Sequence, residues 1–391
     1  MSGDGERTLE VATAMAAIDA AAWDALANPP GQAYDPFVAH AFLRILEQSG
    51  SITRKTGWLP QHLLLKDATG RLIGAMPCYV KSHSMGEFIF DHHWAEAYEQ
   101  TGRSYYPKML SAVPVTPVPG HRMLTADGTD RPQLERQLIA AAIELAKRYD
   151  ASSLHVNFMT EGEWSRLGAA GLLQRTALQY HWTNAGYASF EVFLATLASR
   201  KRKALRRERR DALANGLTVE WLTGKAITEA HWDDFFAFYT DTGNRKWGAP
   251  YLNRRFFSML GAAMADRVLL VMARRAGRAI AGALNIIGGE ALYGRYWGCL
   301  EHHPFLHFEL CYYQAIDFAI AHGLKRVEAG AGGEHKLVRG YLPATVYSAH
   351  WIADPRFRGA IADYLERERI HIAREGEALE SFAPFRKPEQ P

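Results

Sequence analysis

The chain has 391 residues, more than one compact core usually holds, so its length favours two domains. An apolar fraction of 48% and a charged fraction of 22% exclude a disordered or fibrous chain. A formal charge of +3 excludes a general polycation, so any contact with nucleic acid or membrane must be local. Cys78, Cys299 and Cys311 are scattered and form no CxxC pair. That suits a reduced compartment and supplies neither a disulfide framework nor a cysteine zinc site. The N-terminus is acidic and polar, unlike a secretory signal, and the apolar run at 138–150 is too short to span a bilayer and is broken by Glu144 and Lys147. A cytoplasmic protein is expected.

Apolar spacing predicts an amphipathic helix over 9–28, stopped by Asn28-Pro29-Pro30-Gly31, and a second helix over 36–50. Two apolar runs flanking Asp67-Ala68-Thr69-Gly70 predict a hairpin over 61–82. Residues 83–120 read as an irregular insertion rich in His, Trp, Tyr and Pro. Then follow a helix (130–149), a strand (152–158), a short helix (161–170) and a strand (174–183). The second half opens with one long basic helix over 189–215, ending at Asn215-Gly216. Helices at 226–244 and 253–265, a hairpin at 266–289, a strand at 291–300, a helix at 308–322 and a strand at 325–330 complete the pattern. A strand (347–353) and a helix (355–380) close the chain.

The order hairpin, helix, strand occurs twice. Residues 63–80 resemble 269–287, with Gly74-Ala75 set against Gly282-Ala283, and 138–156 resemble 312–330. A tandem duplication of one α/β domain accounts for this. The expected domains are 1–184, carrying the insertion 83–120, and 185–391, opening with the basic helix.

The repeated unit has the order of a GNAT domain. The stretch 198–222, with Ser199, Arg200, Lys201, Arg202, Arg206, Arg207 and Gly216, resembles the opening of the second domain in Fem-like transferases. Segments 235–248, 278–299 and 304–343 resemble the helix, central hairpin and final loop that follow there. The whole chain is similar to a bacterial group described as FemAB-like or peptidoglycan-biosynthesis proteins. The resemblance implies an α/β (α+β) fold of two tandem GNAT-like acyltransferase domains. It also implies an N-acyltransferase moving an acyl or aminoacyl group to an amine. Fem-like enzymes take aminoacyl-tRNA as donor and support the reaction with a lysine in the last loop. Lys336 and Arg339 both stand as its counterpart. The glycine loop that holds the pyrophosphate of coenzyme A in other GNAT enzymes is missing, since 298–310 reads GCLEHHPFLHFEL. No tightly bound cofactor is implied. The donor is an aminoacyl-tRNA or an acyl thioester, either acyl-CoA or an acyl carrier protein. The acceptor is a small-molecule or nucleotide-linked amine.

Three groups of side chains carry the chemistry. Arg200, Lys203, Arg207 and Arg210 fall on one stripe of the basic helix, suited to the phosphates of tRNA, a nucleotide or coenzyme A; the alternative is a solvated face. In the last loop Glu334 or His335 could take a proton, Lys336 or Arg339 could steady an oxyanion or bind a phosphate, and Glu328 would sit on the strand leading into it. On the strand 293–298, Tyr293, Arg295 and Trp297 alternate to one face, with Arg295 either touching substrate or paired in the core with Glu309 or Glu328. His83, Asp91, His92, Trp94 and Lys108 would line an acceptor cleft. His302, His303, His307 and Glu309 cluster, but at no metal-binding spacing. Cys299 and Cys311 have no position that marks a nucleophile. A different class of protein, a silent RNA- or nucleotide-binding module using the basic helix, fits the same stripe. It would tolerate loss of the last loop.

Overall fold

The computed structural model describes residues 6–246, 250–330 and 332–386. The chain forms two units: Met1–Ala177 with Val346–Ala373, and Leu178–Thr345 with Arg374–Pro391. This differs from the expected division at 184/185. The strand Leu342–Ile352 pairs antiparallel with Ser153–Met159 through Tyr347 to Ile352, which draws that stretch into the first unit. The strand Leu173–Thr183 pairs through His181, Trp182 and Thr183 with Arg326–Glu328 in the second.

In the first unit the hairpin His62–Lys66 and Leu72–Met76 turns at Asp67, whose Oδ1 accepts from the backbone of Thr69 (2.9 Å) and Arg71 (3.1 Å). Gly70 takes the left-handed position (φ +84°) that the turn requires. Thr8–Ala12 and Leu124–Thr125 flank this hairpin in a four-stranded sheet. The helix expected over 9–28 is thus a strand followed by the short helix Ala20–Ala27. Its apparent helical spacing spanned two elements, and pairing with 62–66 decided the first. Trp58–Pro60, Tyr79–Lys81 and Lys108–Ser111 form successive antiparallel pairs, and Lys108–Ser111 then pairs parallel with Ser153–Met159. The crossover is the helix Arg131–Arg148, capped by Asp130 with Pro132 in its first turn, which buries Leu134, Leu138, Ala142 and Leu145. The supposedly irregular 83–120 contains the helix His92–Glu99 as well as Lys108–Ser111.

The second unit repeats this order of pairing. Leu217–Thr223, Val268–Arg275, Arg278–Ile287 and Ala291–Cys299 are antiparallel neighbours, and Ala291–Cys299 pairs parallel with Arg326–Glu328. Both hairpins carry a bulge near the turn, one register pair from it at Leu65/Lys66 and two at Ala273/Arg274. The bulges set Ile73-Gly74-Ala75 against Ile280-Ala281-Gly282, one residue away from the alignment that sequence similarity suggests. The long basic helix is two helices, Phe190–Thr196 and Ser199–Ala212. Leu197 breaks it, because its backbone bridges to Phe385.

The helix Glu229–Lys246 lies directly on the strand Ala291–Cys299. Gly298 permits this: a Cβ there would sit 2.1 Å from the carbonyl oxygen of Phe238. Backbone cannot move aside as a side chain can, so Gly298→Ala should destabilise the protein by at least about 2 kcal/mol, read as a lower urea midpoint. Gly277→Ala has open space around it, so only its positive φ (+78°) opposes the change, and it should cost about 1–2 kcal/mol.

Candidate active site

Where a parallel strand pair stops, its backbone groups need other partners. Ala291–Cys299 and Arg326–Glu328 are paired only as far as Tyr293 and Glu328. On the other edge of Ala291–Cys299 the register slips between Leu284 and Asn285, leaving Arg295 as an extra residue between Gly294 and Tyr296. Such a bulge bends its strand and re-aims side chains. The expected one-face alternation of Tyr293, Arg295 and Trp297 is therefore broken. Tyr293 is buried, while Arg295, Tyr296 and Trp297 all line a cavity of about 180 Å³. Tyr239 and Thr242 from Glu229–Lys246, His307, Cys311 and Tyr312 from this unit's own crossover helix (306–321), and Ala329 complete the wall. Cys311 and Tyr312 lie in a π-helical turn, Glu309–Tyr313, a distortion that often marks functional sites.

Lys336 meets the carbonyl groups at the strand end. Its Nζ donates to Ala329 O (2.8 Å) and Gly330 O (3.2 Å). The side chain is 4% exposed, and burial pulls its pKa down to about 8. Glu328, the residue before Ala329, is buried too. Its Oε1 accepts from Arg326 Nε (2.8 Å), and burial raises its pKa against the opposing pull of Arg326. His181, 3.8 Å from the other Glu328 oxygen, is lowered to about 4 by burial, then by Arg326 and Lys336. It stays neutral at physiological pH.

Arg339 is placed differently. Its guanidinium donates to Glu208 Oε2 (2.7 Å) and Tyr313 OH (3.0 Å) and lies 3.5 Å from the Phe308 ring centroid. It clamps the basic helix to the crossover helix and does not line the cavity. His335 is exposed, with Nε2 3.0 Å from Tyr312 OH. The side chain of Glu334 lies outside the described residues. Glu309 is paired with Arg209 (2.8 Å) and Glu328 with Arg326, and Arg295 also pulls the Glu328 pKa down through space. Arg295 lies 5.3 Å from the Tyr296 ring and lines the cavity.

The basic helix has two faces. Arg200, Lys203, Arg207 and Arg210 are exposed, with Arg207 and Arg210 sharing Asp211 at 3.3 and 3.1 Å. Glu208 and Arg209 turn inward, Arg209 bridging buried Glu309 and Asp317 (2.7 Å).

In the first unit, Asp91, Trp94 and Lys108 are buried. Lys108 pairs with Asp91 and with Glu87 (2.8 Å), and Trp94 packs on His350 (5.0 Å). His92 is exposed against Phe90, and His83 Nε2 lies 3.1 Å from Thr56 O. These five residues therefore divide between interior and surface. The place equivalent to the cavity, beyond the last register pair Ser111/Val156, is filled by chain: Ala112, Val113, Val115, Thr116 and Val118 are all buried. Sequence reasoning missed Tyr239, His307 and Cys311 as cavity residues. The π-helical turn that aims Cys311 has no sequence signal that spacing could reveal.

Two repeats of one antiparallel–parallel sheet order, with strands parting beside a cleft, define a tandem GNAT-like protein. The chain belongs to the FemAB-like family, described as peptidoglycan biosynthesis/recognition, which matches residues 14–387. Among solved structures it is similar to FemX (13% identity, TM-score 0.50, covering 80% of this chain and 93% of that one). A conserved protein of unknown function from Bacteroides thetaiotaomicron is similar too (12% identity, TM-score 0.52, 88% and 99% covered). So is L-PGS from Bacillus licheniformis (9% identity, TM-score 0.50, 86% and 98% covered). At such identities these likenesses concern the fold alone. No curated protein sequence matches the chain. Among the described residues, no helix is long and apolar enough to cross a membrane.

The inward and outward faces of the basic helix should respond differently to substitution. Arg209→Ala should cost about 3 kcal/mol in urea unfolding, since it strands the buried Glu309 carboxylate. Replacing Arg200, Lys203, Arg207 and Arg210 together by Ala should leave the midpoint within about 1 kcal/mol of the parent. The same variant should weaken tRNA binding and flatten its salt dependence. If tRNA affinity is unchanged, the stripe is a solvated face.

Proposed function

We propose that this protein is an N-acyltransferase that moves an aminoacyl group from an ester donor to the amine of a nucleotide-linked peptidoglycan precursor. The observation that carries the reading is the cavity at the parted strands, with Arg295 on one wall and the Lys336-bound strand end on the other. The acceptor amine attacks the ester carbonyl, the C–N bond forms, and the C–O bond to the donor breaks, the departing ribose hydroxyl taking a proton. Negative charge builds on the carbonyl oxygen before that bond breaks. Arg295 on the cavity wall can steady it, with Lys336 behind the lining residue Ala329, whose carbonyl it holds, and the aromatic walls exclude water. The family membership supports this class of reaction, and the exposed basic stripe suits a tRNA donor.

An acyl-CoA donor is the competing reading, and the turn after Ala291–Cys299 argues against it. Glu301 sits there, tied to Arg275 (2.7 and 2.9 Å) and near His303 (3.2 Å), and its pKa is held down to about 2 by those partners, Arg275 first. A diphosphate approaching this turn would meet a carboxylate, a proline at 304 that lacks an N–H, and the half-exposed Phe305. Calorimetric titration with acetyl-CoA should therefore show no binding in the low-micromolar range. Tight binding would move the donor to a thioester.

The transfer itself is tested by incubating the protein with a charged tRNA pool and a UDP-linked muramyl pentapeptide, and reading the precursor for an added aminoacyl mass. Lys336→Met should lower the rate about 100-fold. Because Lys336 loses its proton near pH 8, the parent enzyme should lose activity as pH rises through that value. Lys336→Arg, which stays charged, should lack that descending limb. A parent profile that keeps rising past pH 9 would remove the cationic role of Lys336.

A further inference from the structure

The first unit contains a second group of charges that the transfer reaction does not use. Lys81 and Lys108 are register partners on the strands Tyr79–Lys81 and Lys108–Ser111, and both side chains are 0% exposed. Lys108 is fully compensated: it meets Glu87 Oε2 (2.8 Å), Asp91 Oδ2 and Ser84 Oγ (2.6 Å). Lys81 is not. Its Nζ donates to Met85 O at 3.3 Å and lies 3.5 Å from the Trp58 ring centroid, with no carboxylate among the described residues in ion-pair range. Nearby, Glu87 Oε1 and Asp91 Oδ1 are buried without a hydrogen-bond partner. A buried network with unspent donors beside unspent acceptors is high in energy, and natural interiors rarely keep one without a use.

All the covering groups come from one short stretch. Ser84, Met85, Glu87 and Asp91 belong to residues 82–91, which also hold Phe88 at φ +59°, a costly conformation for a bulky residue. The same stretch turns Met85 (59% exposed) and Phe90 (67% exposed) toward solvent. It is therefore strained, apolar on its outer side, and joined to the charges beneath mainly through Glu87 and Asp91.

We propose that Lys81 and Lys108 form a carboxylate-binding site, and that Glu87 fills it as an internal stand-in until an external carboxylate displaces it. The charge count selects the ligand. With Glu87 withdrawn, two ammonium groups face the single carboxylate of Asp91, a surplus of one positive charge that a monoanion cancels and a phosphate dianion exceeds. The Trp58 ring beside Lys81 and the hydroxyls of Ser84 and Tyr106, 2.8 Å apart, give the ligand a flat apolar wall and polar contacts. Burial draws the Lys81 pKa down to about 7, so an incoming carboxylate would also restore its full charge. This site is independent of the transferase reading, and binding alone tests it.

The probe is N-acetylglycine, titrated into the full chain by NMR or calorimetry, with N-acetylglycinamide and inorganic phosphate as comparators. Glu87→Ala removes the internal competitor and should tighten N-acetylglycine binding by at least about tenfold. The amide and phosphate should gain nothing. Lys81→Met in the Glu87→Ala background should abolish the gain. Glu87→Gln, which keeps the shape and removes the charge, should also tighten binding and serves where Glu87→Ala melts early by circular dichroism. The proposal fails if a folded Glu87 variant binds N-acetylglycine no better than the parent. It fails equally if Lys81→Met leaves the gain intact, or if phosphate gains as much as the carboxylate.

Discussion

A strand that leaves its parallel partner exposes a carbonyl oxygen that the sheet no longer satisfies, and a buried oxygen of that kind must find a donor. In the second unit the donor is Lys336, which takes Ala329 O and Gly330 O just past the last register pair. In the first unit the corresponding oxygen is Asn157 O, just past Val156, and its donor is the buried Arg122 at 2.9 Å. The Arg122 guanidinium also reaches Val118 O and His121 O, which pins the loop that fills the gap. One backbone problem thus has two solutions. A five-donor arginine anchors a plug, whereas a lysine closes off the strand end and leaves a cavity beside it. The difference between an occupied and an available cleft rests on which cation the sequence supplies.

Charge is managed by pairing throughout the second unit. The basic helix looks like a uniform run of arginines, yet Arg209 and Glu208 are internal partners of Glu309 and Arg339. These pairs fix the helix against the π-helical turn that lines the cavity, so the outward stripe is carried on a rigid mount. Arg339, a plausible catalytic group by its place in the last loop, spends its donors in this clamp. Lys336, three residues earlier, is turned to the strand end instead.

Periodicity revealed the elements whose pattern is local. The hairpins at Asp67 and Arg275, the helix ahead of Ser153–Met159 and the duplication itself follow from turn residues and apolar spacing. The family resemblance of 198–222 and 304–343 likewise lay in the order of residues. What stayed hidden depends on contacts distant in sequence. Thr8–Ala12 is a strand because 62–66 lies beside it, and Leu197 breaks a helix because Phe385 meets it. Arg295 escapes strand alternation because of a bulge set by its neighbour's register. Cys311 faces the cavity through one widened helical turn. Lys81 ends an apolar strand, and only the folded chain brings Trp58 and Met85 over it. Glu87 and Asp91 fall in the stretch 83–120 that the sequence presents only as an irregular insertion, and their burial follows from the same contacts.

The allocation of the strands Leu173–Thr183 and Leu342–Ile352 bears on how the molecule comes into being. The sheet of the first unit is completed on the Ser153–Met159 edge by residues 347–352, some two hundred positions further along the chain. During synthesis on a ribosome, that edge must wait in an unpaired state until nearly the whole polypeptide has emerged. Separation in sequence of this size slows the closing step, and an open strand edge invites pairing with other chains meanwhile. Cutting the gene at the midpoint of the duplication would leave the N-terminal fragment without its last strand.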